Sequence, residues 1–181
     1  MIEVEVKASI DNLEFVRNKI LEKGAVFKKK KYQYDILLDP PEINFAKTDQ
    51  VLRIRNTDGI WKLDYKSPRL DNETKSRKEY SVEISDGKKV RDIFTWMSFK
   101  LVGEIEKTRE TYELNGMNIE LDQVTNLGNF VEIEILSSEN EFEEAKKKIF
   151  SFLESLGIKE TIKSDYLELL WDKGYFKDNR K

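Results

Sequence analysis

The sequence predicts a mainly-β α+β fold: an eight-stranded antiparallel sheet closed into a tunnel or barrel, with a charged lumen and helices packed outside. Three observations predict it. Eight segments alternate apolar and polar residues with the period of a strand, and four carry the i, i+3, i+4 spacing of an amphipathic helix. The polar faces of the strand segments are almost wholly ionic. The 181 residues fit one domain spanning 1–181, with strands over about 2–136 and C-terminal helices over about 138–172.

The first strand is expected near 2–8. Asp11 then offers an N-cap for a helix near 12–23, where Leu13, Val16 and Ile20 share a face and Gly24 marks the stop. A long strand near 25–38 ends before Pro40-Pro41, and strands near 51–57 and 60–66 flank the hairpin signal Asp58-Gly59. After a loop over 67–76, a strand near 77–84 leads into a helix near 87–98. That helix has Asp86 as its cap and Val90, Ile93, Phe94 and Met97 as its stripe. Strands near 101–113 and 117–123 flank Asn115-Gly116, and the eighth strand follows near 129–136. Ser138-x-x-Glu141 reads as a capping box for a helix carrying Phe142, Ala145, Ile149, Leu153 and Leu156. A short helix near 164–171 closes the pattern, and Trp96 and Trp171 are expected in the core. The order is β-α-β-β-β twice, then two helices.

Composition removes several chemistries. There is no Cys, which excludes disulfides and thiol catalysis and fits a reducing, cytoplasmic setting. There is no His, which excludes Ser-His-Asp triads and imidazole metal sites. No apolar run approaches the roughly 18–20 residues of a membrane span, so no membrane partner is expected. Lys and Arg number 32 against 35 Asp and Glu, a balance unlike that of a nucleic-acid coat. Catalysis is left to carboxylates, Lys, Arg, hydroxyls or a bound cation.

The placement of charge is more informative than its sum. Glu3, Glu5 and Lys7 project from one side of their strand, as do Arg53 and Arg55, and Lys62, Asp64 and Lys66. Arg77, Glu79 and Glu83 share a face, as do Lys107 and Arg109, Glu120 and Asp122, and Glu132 and Glu134. Two readings stand. One is an antiparallel sheet with a wet face. The other is a closed barrel whose charged face lines the interior, and eight strands suffice for closure. Acids sort to the first, seventh and eighth strands and bases to the third, fourth and sixth, which favours the second reading. Buried charges must be paired or ligand-bound. A polyphosphate chelating Mg²⁺ or Mn²⁺ satisfies both sectors, since carboxylates hold hard cations and Lys or Arg hold phosphate oxygens.

The opening E-x-E-x-K at Glu3, Glu5 and Lys7 is followed by FAKTDQVLRIR (45–55), YKSP (65–68), ETKSRKEYSVEI (73–84), EKTRETY (106–112), LDQVTNLGNFVEIEI (121–135) and SDYLELL (164–170). In this order the blocks resemble the CYTH superfamily of triphosphate tunnel metalloenzymes, with the last resembling its class IV adenylyl cyclases. The resemblance implies an eight-stranded antiparallel tunnel. It implies Glu3, Glu5, Asp122, Glu132 and Glu134 as ligands of Mg²⁺ or Mn²⁺. It also implies Lys7, Arg53, Arg55, Lys66, Lys107 and Arg109 as triphosphate-binding bases, with Arg77 and Lys163 matching more loosely. Glu5, Lys7 and Glu134 are the expected catalytic residues. Asp35 matches a weaker family position, and Glu79, Glu83 and Glu120 are expected to neutralise neighbouring bases.

The implied activity is conversion of ATP to 3′,5′-cyclic AMP and pyrophosphate. The alternatives are hydrolysis of thiamine triphosphate, tripolyphosphate or a nucleoside triphosphate, and binding of nucleotide or polyphosphate without turnover. Partners implied are ATP or another triphosphate and a second copy in a homodimer. No nucleic-acid partner is expected.

Overall fold

The computed structural model describes residues 2–68 and 78–177. Eight strands form one antiparallel sheet: β1 (Ile2–Ile10), β2 (Val26–Asp39), β3 (Val51–Thr57), β4 (Ile60–Lys66), β5 (Glu79–Ile84), β6 (Lys100–Leu114), β7 (Met117–Val124) and β8 (Gly128–Ser137). Four helices accompany them: α1 (Leu13–Glu22), α2 (Gly87–Trp96), α3 (Phe142–Ser155) and α4 (Tyr166–Asp172). The strand order is β1-β8-β7-β6-β2-β3-β4-β5. The eight antiparallel strands are as expected, but a closed ring of strand pairing is not seen: among the described residues β1 and β5 are the two ends of the order. No helix among the described residues is long and apolar enough to cross a membrane.

The chain divides into two compact units, residues 1–31 with 107–164 and residues 32–106 with 165–181. In the first, the apolar sides of β1, β7 and β8 bury Val4, Ala8, Ile119, Leu121, Val131 and Ile133 against Val16 and Ile20 of α1 and Ile149 and Leu153 of α3. Period-two alternation in the strands and 3.6-residue periodicity in the helices meet in one core. Asn115 and Gly116 have φ of 49° and 78°, the left-handed pair that a two-residue β6–β7 hairpin requires.

In the second unit, Ile36, Leu38, Leu52 and Ile54 form a smaller core under Val90 and Phe94 of α2. Trp171 of α4 is buried and donates from Nε1 to the Val102 carbonyl at 3.0 Å. Trp96 is 90% exposed, contrary to expectation. It ends a ten-residue helix, off the Val90–Phe94 side that meets the core. Ile93 and Met97, expected in the stripe, are also exposed.

Two caps differ from the sequence reading. Asn12, not Asp11, caps α1 by accepting from the Phe15 amide at 2.9 Å. Ser138 and Glu141 flank a single 3-10 turn, Glu139–Glu141, so the reciprocal box does not form on α3. It forms instead on α4, where Asp165 accepts from the Glu168 amide and the Glu168 carboxylate accepts from the Asp165 amide.

Candidate functional site

Strand register builds the charged face of the first unit. Glu5 lies opposite Glu134 and Lys7 opposite Glu132 across β1 and β8. Glu132 then faces Glu120 across β8 and β7, and Asp122 faces Arg109 across β7 and β6. Residues 129 positions apart are thus brought side by side, and the two E-x-E segments are neighbours.

Asp122 is the centre of the cluster and is completely buried. Lys107 Nζ donates to it at 2.8 Å, and Arg109 grips it through Nε and Nη2 at 2.6 and 2.5 Å. Arg109 Nη2 also donates to Glu132 at 2.5 Å, and Nη1 pairs with Glu120. Lys7 lies 3.3 Å from Glu132 and donates to the Ser164 carbonyl, where the chain crosses β1 through a bridge between Lys7 and Ile162. Lys7, Lys107 and Arg109 therefore balance Glu120, Asp122 and Glu132, charge for charge.

Burial and pairing compete in setting proton affinities here. Burial alone would raise the Asp122 carboxyl, but the Arg109 hydrogen bonds and the charges of Arg109 and Lys107 hold it below the usual carboxylate range. Glu132 is lowered in the same way: burial opposes, and Arg109, Lys107 and Lys7 prevail. Glu120 is raised, because burial outweighs Arg109 and the nearby carboxylates add to it. Burial, then Arg109, push the Lys107 ammonium down. Arg109 is held charged by its three carboxylates.

Glu5 and Glu134 stand apart from this balance. They oppose each other directly across the strands, and no base pairs with either among the described residues. Glu134 accepts a 3.4 Å hydrogen bond from Asn118. Two like charges face to face destabilise a sheet unless a cation joins them. Hard carboxylate oxygens in that position fit Mg²⁺ or Mn²⁺. The five implied ligands do not gather as one cage: among the described residues no group of three or more Asp and Glu side chains could hold a metal ion. The reason is physical, since Asp122 and Glu132 are turned to Arg109, Lys107 and Lys7. Glu3 and Lys163 are exposed.

The second unit carries its own cluster. Asp35, 3% exposed, is gripped by Arg55 through Nε and Nη2 at 2.6 and 2.5 Å, with Arg53 Nη1 at 3.9 Å. Arg53 is held mainly by Asp64, at 2.8 and 3.2 Å, and Ser81 Oγ donates to the same carboxylate at 2.6 Å. Burial opposes ionisation of Asp64, but Ser81 and Arg53 hold its carboxyl below the ordinary value. Lys66 pairs with Glu79 at 2.8 Å, and Glu120 pairs with Arg109 in the first unit, the neutralising roles expected of both acids. Arg77 lies outside the described residues.

Two polar side chains were not singled out by sequence reasoning. Thr111, opposite Glu120, and Gln33, two residues before Asp35, are buried, and Thr111 Oγ1 and Gln33 Oε1 have no hydrogen-bond partner among the described residues. Each sits at a period-two position of a charged face, the signal that could have found it.

The chain matches the CYTH domain model over residues 1–165. It is 38% identical over 172 residues to a Methanocaldococcus jannaschii protein named as a candidate adenylate cyclase, MJ0240, covering 93% of this chain and 98% of the relative. The solved structure of the PH1819 protein from Pyrococcus horikoshii shares 36% identity with a TM-score of 0.76, over 94% of this chain and 99% of that one. A Hippeastrum adenylyl cyclase candidate, described as having a dominant triphosphatase activity, has the same fold at 21% identity and a TM-score of 0.66, over 95% of each chain. With eight antiparallel strands in one sheet, ionic strand faces and a family match over most of its length, the chain belongs to the CYTH domain family.

Proposed function

We propose that this protein is a divalent-metal-dependent enzyme that converts ATP to 3′,5′-cyclic AMP and pyrophosphate. CYTH proteins are typically enzymes acting on triphosphates. The observation that carries the reading is the sorted electrostatics of the first unit: three bases in balance with three carboxylates, beside an opposed Glu5–Glu134 pair with surplus negative charge. A triphosphate with its cation exchanges partners with such a cluster. Lys7, Lys107 and Arg109 would offer their charge to phosphate oxygens, and Glu5 and Glu134 would hold Mg²⁺ or Mn²⁺, with Glu3, Asp122 and Glu132 as the further ligands the resemblance implies. In the second unit Arg53, Arg55 and Lys66 are bases of the same phosphate-binding class, as the resemblance implies. Arg77 and Lys163 are looser matches.

When bound, the cation offsets phosphate charge and increases the nucleophilicity of the attacking oxygen. The chain's own part is positioning. Arg109 presents a planar fork suited to two phosphate oxygens, and Lys107 a point charge in a buried setting where electrostatics are strong. With the chain so held, the ribose 3′-hydroxyl oxygen attacks the α-phosphorus and gives up its proton to solvent, the α–β bridging P–O bond breaks and pyrophosphate leaves.

The name of the M. jannaschii relative supports the cyclase reading. The Hippeastrum description supports a second one, in which water attacks the γ-phosphorus with the same residues. Incubation with MnATP followed by chromatography separates them: cyclic AMP with pyrophosphate is expected, ADP with phosphate would establish the triphosphatase, and unchanged ATP would leave a binding module.

A further inference from the structure

Gln33 is a buried amide whose carbonyl oxygen is unpartnered among the described residues. It is 9% exposed and pairs in register with Thr57 across β2 and β3. It precedes Asp35 by two positions on the same strand, so it projects from the face on which Arg55 grips Asp35. One strand repeat, roughly 7 Å, separates the Asp35 position, where the implied phosphate-binding bases Arg53 and Arg55 converge, from an unsatisfied amide acceptor. Buried polar atoms are almost always hydrogen-bonded, and leaving one unmade costs stability unless a ligand completes it.

A glutamine amide offers an acceptor and a donor side by side. Its complement is a ring edge with an exocyclic amine next to an unprotonated ring nitrogen, as in adenine N6 with N7. We infer that Gln33 reads the organic end of the triphosphate, accepting from an exocyclic ring amine through Oε1 and donating through Nε2 to the adjacent ring nitrogen. This deepens the triphosphate reading above and rests on it. Adenine, cytosine and the aminopyrimidine of thiamine share that edge. Hypoxanthine, which has a carbonyl acceptor in place of the amine donor beside N7, lacks it. A site built to pair with an amine discriminates strongly against an analogue without one, because its own buried group is then left unpaired.

The test is equilibrium binding, by calorimetry, of ATP, ITP and inorganic tripolyphosphate to the full chain with Mg²⁺. Wild type is expected to bind ATP at least about tenfold more tightly than ITP, the loss of one hydrogen bond to a buried group. Gln33→Leu should bring the two within about twofold while leaving tripolyphosphate affinity unchanged, and Gln33→Met, which keeps the length of the side chain, should do the same if the branched variant folds poorly. CTP and thiamine triphosphate in the same titration identify which amine-bearing ring is preferred. Tripolyphosphate binding with an ATP-to-ITP ratio unmoved by either variant would make Gln33 structural and overturn the inference alone. Failure of wild type to bind tripolyphosphate at all would overturn the triphosphate reading, and this inference with it.

Discussion

Arg109 shows how much one side chain of this face is asked to do. It makes bidentate contact with Asp122, reaches Glu132 and pairs with Glu120, all in a largely buried setting. A surface phosphate-binding arginine could be removed at little cost to the fold, whereas here three carboxylates would lose their common partner. Arg109→Ala should therefore lower unfolding free energy by about 3–5 kcal/mol, as expected when one member of a buried ion network is deleted. Arg53→Ala should cost only about 1–2 kcal/mol, because Asp35 keeps Arg55 and Asp64 keeps Ser81. Urea denaturation of both variants measures the contrast. Equal and small losses would mean that the Arg109 network is not formed in solution. The charged residues themselves were legible in the sequence through strict alternation. Their pairing was not, because which acid turns to which base depends on register and burial.

At the scale of elements, strand positions were read well and helix details less well. Period-two alternation and the Asp58-Gly59 and Asn115-Gly116 signals depend on local backbone chemistry, and both pairs have the positive φ values that a two-residue hairpin demands. The cap of α1 moved by one residue because Asp11 and Asn12 are chemically equivalent candidates and only the entry angle of the chain chooses between them. The α2 stripe was overestimated, since periodicity gives an apolar face but not the width of sheet available to cover it. Besides Val90 and Phe94, the docking of α2 involves a close approach that no pattern predicts. A Cβ added to Gly87 would lie 2.0 Å from Cε3 of the Trp61 ring. Gly87→Ala should force the helix off β4 and cost about 1–3 kcal/mol, the range for overpacking a tight contact. Pairing it with Trp61→Val, which removes the obstructing ring, should restore part of that loss. Full additivity of the two changes in denaturant midpoint would show that the contact does not govern the docking of α2.

For the molecule as a whole, the balance of charge predicts how stability responds to ligand. The bases and acids of the first unit satisfy one another in the absence of substrate, so the free protein is expected to fold without metal. Only Glu5 and Glu134 remain opposed and without a base among the described residues. Among the described residues the strand order stays open between β1 and β5, so the expected ring of strand pairing is not complete there. Alternation reports which face a residue takes, and carries no information on whether the first and last strands of an order pair. A ligand that binds only the native state stabilises it by mass action, about 2.7 kcal/mol at a hundredfold excess over Kd. In a chain of this size that corresponds to a Tm increase of roughly 5–10 °C. Tripolyphosphate in EDTA should give part of this rise, through Lys7, Lys107 and Arg109, and adding Mg²⁺ the rest. Glu134→Gln should keep the first increment, lose most of the second, and raise the Tm of the free protein by relieving repulsion with Glu5. Adding Glu5→Gln to that variant should then change little, because a carboxylate pair sharing one cation is disabled by either loss. Differential scanning calorimetry of the four proteins resolves the increments. A full Mg²⁺ increment in Glu134→Gln, or further loss in the double variant equal to that of Glu5→Gln alone, would assign the cation to ligands other than this pair.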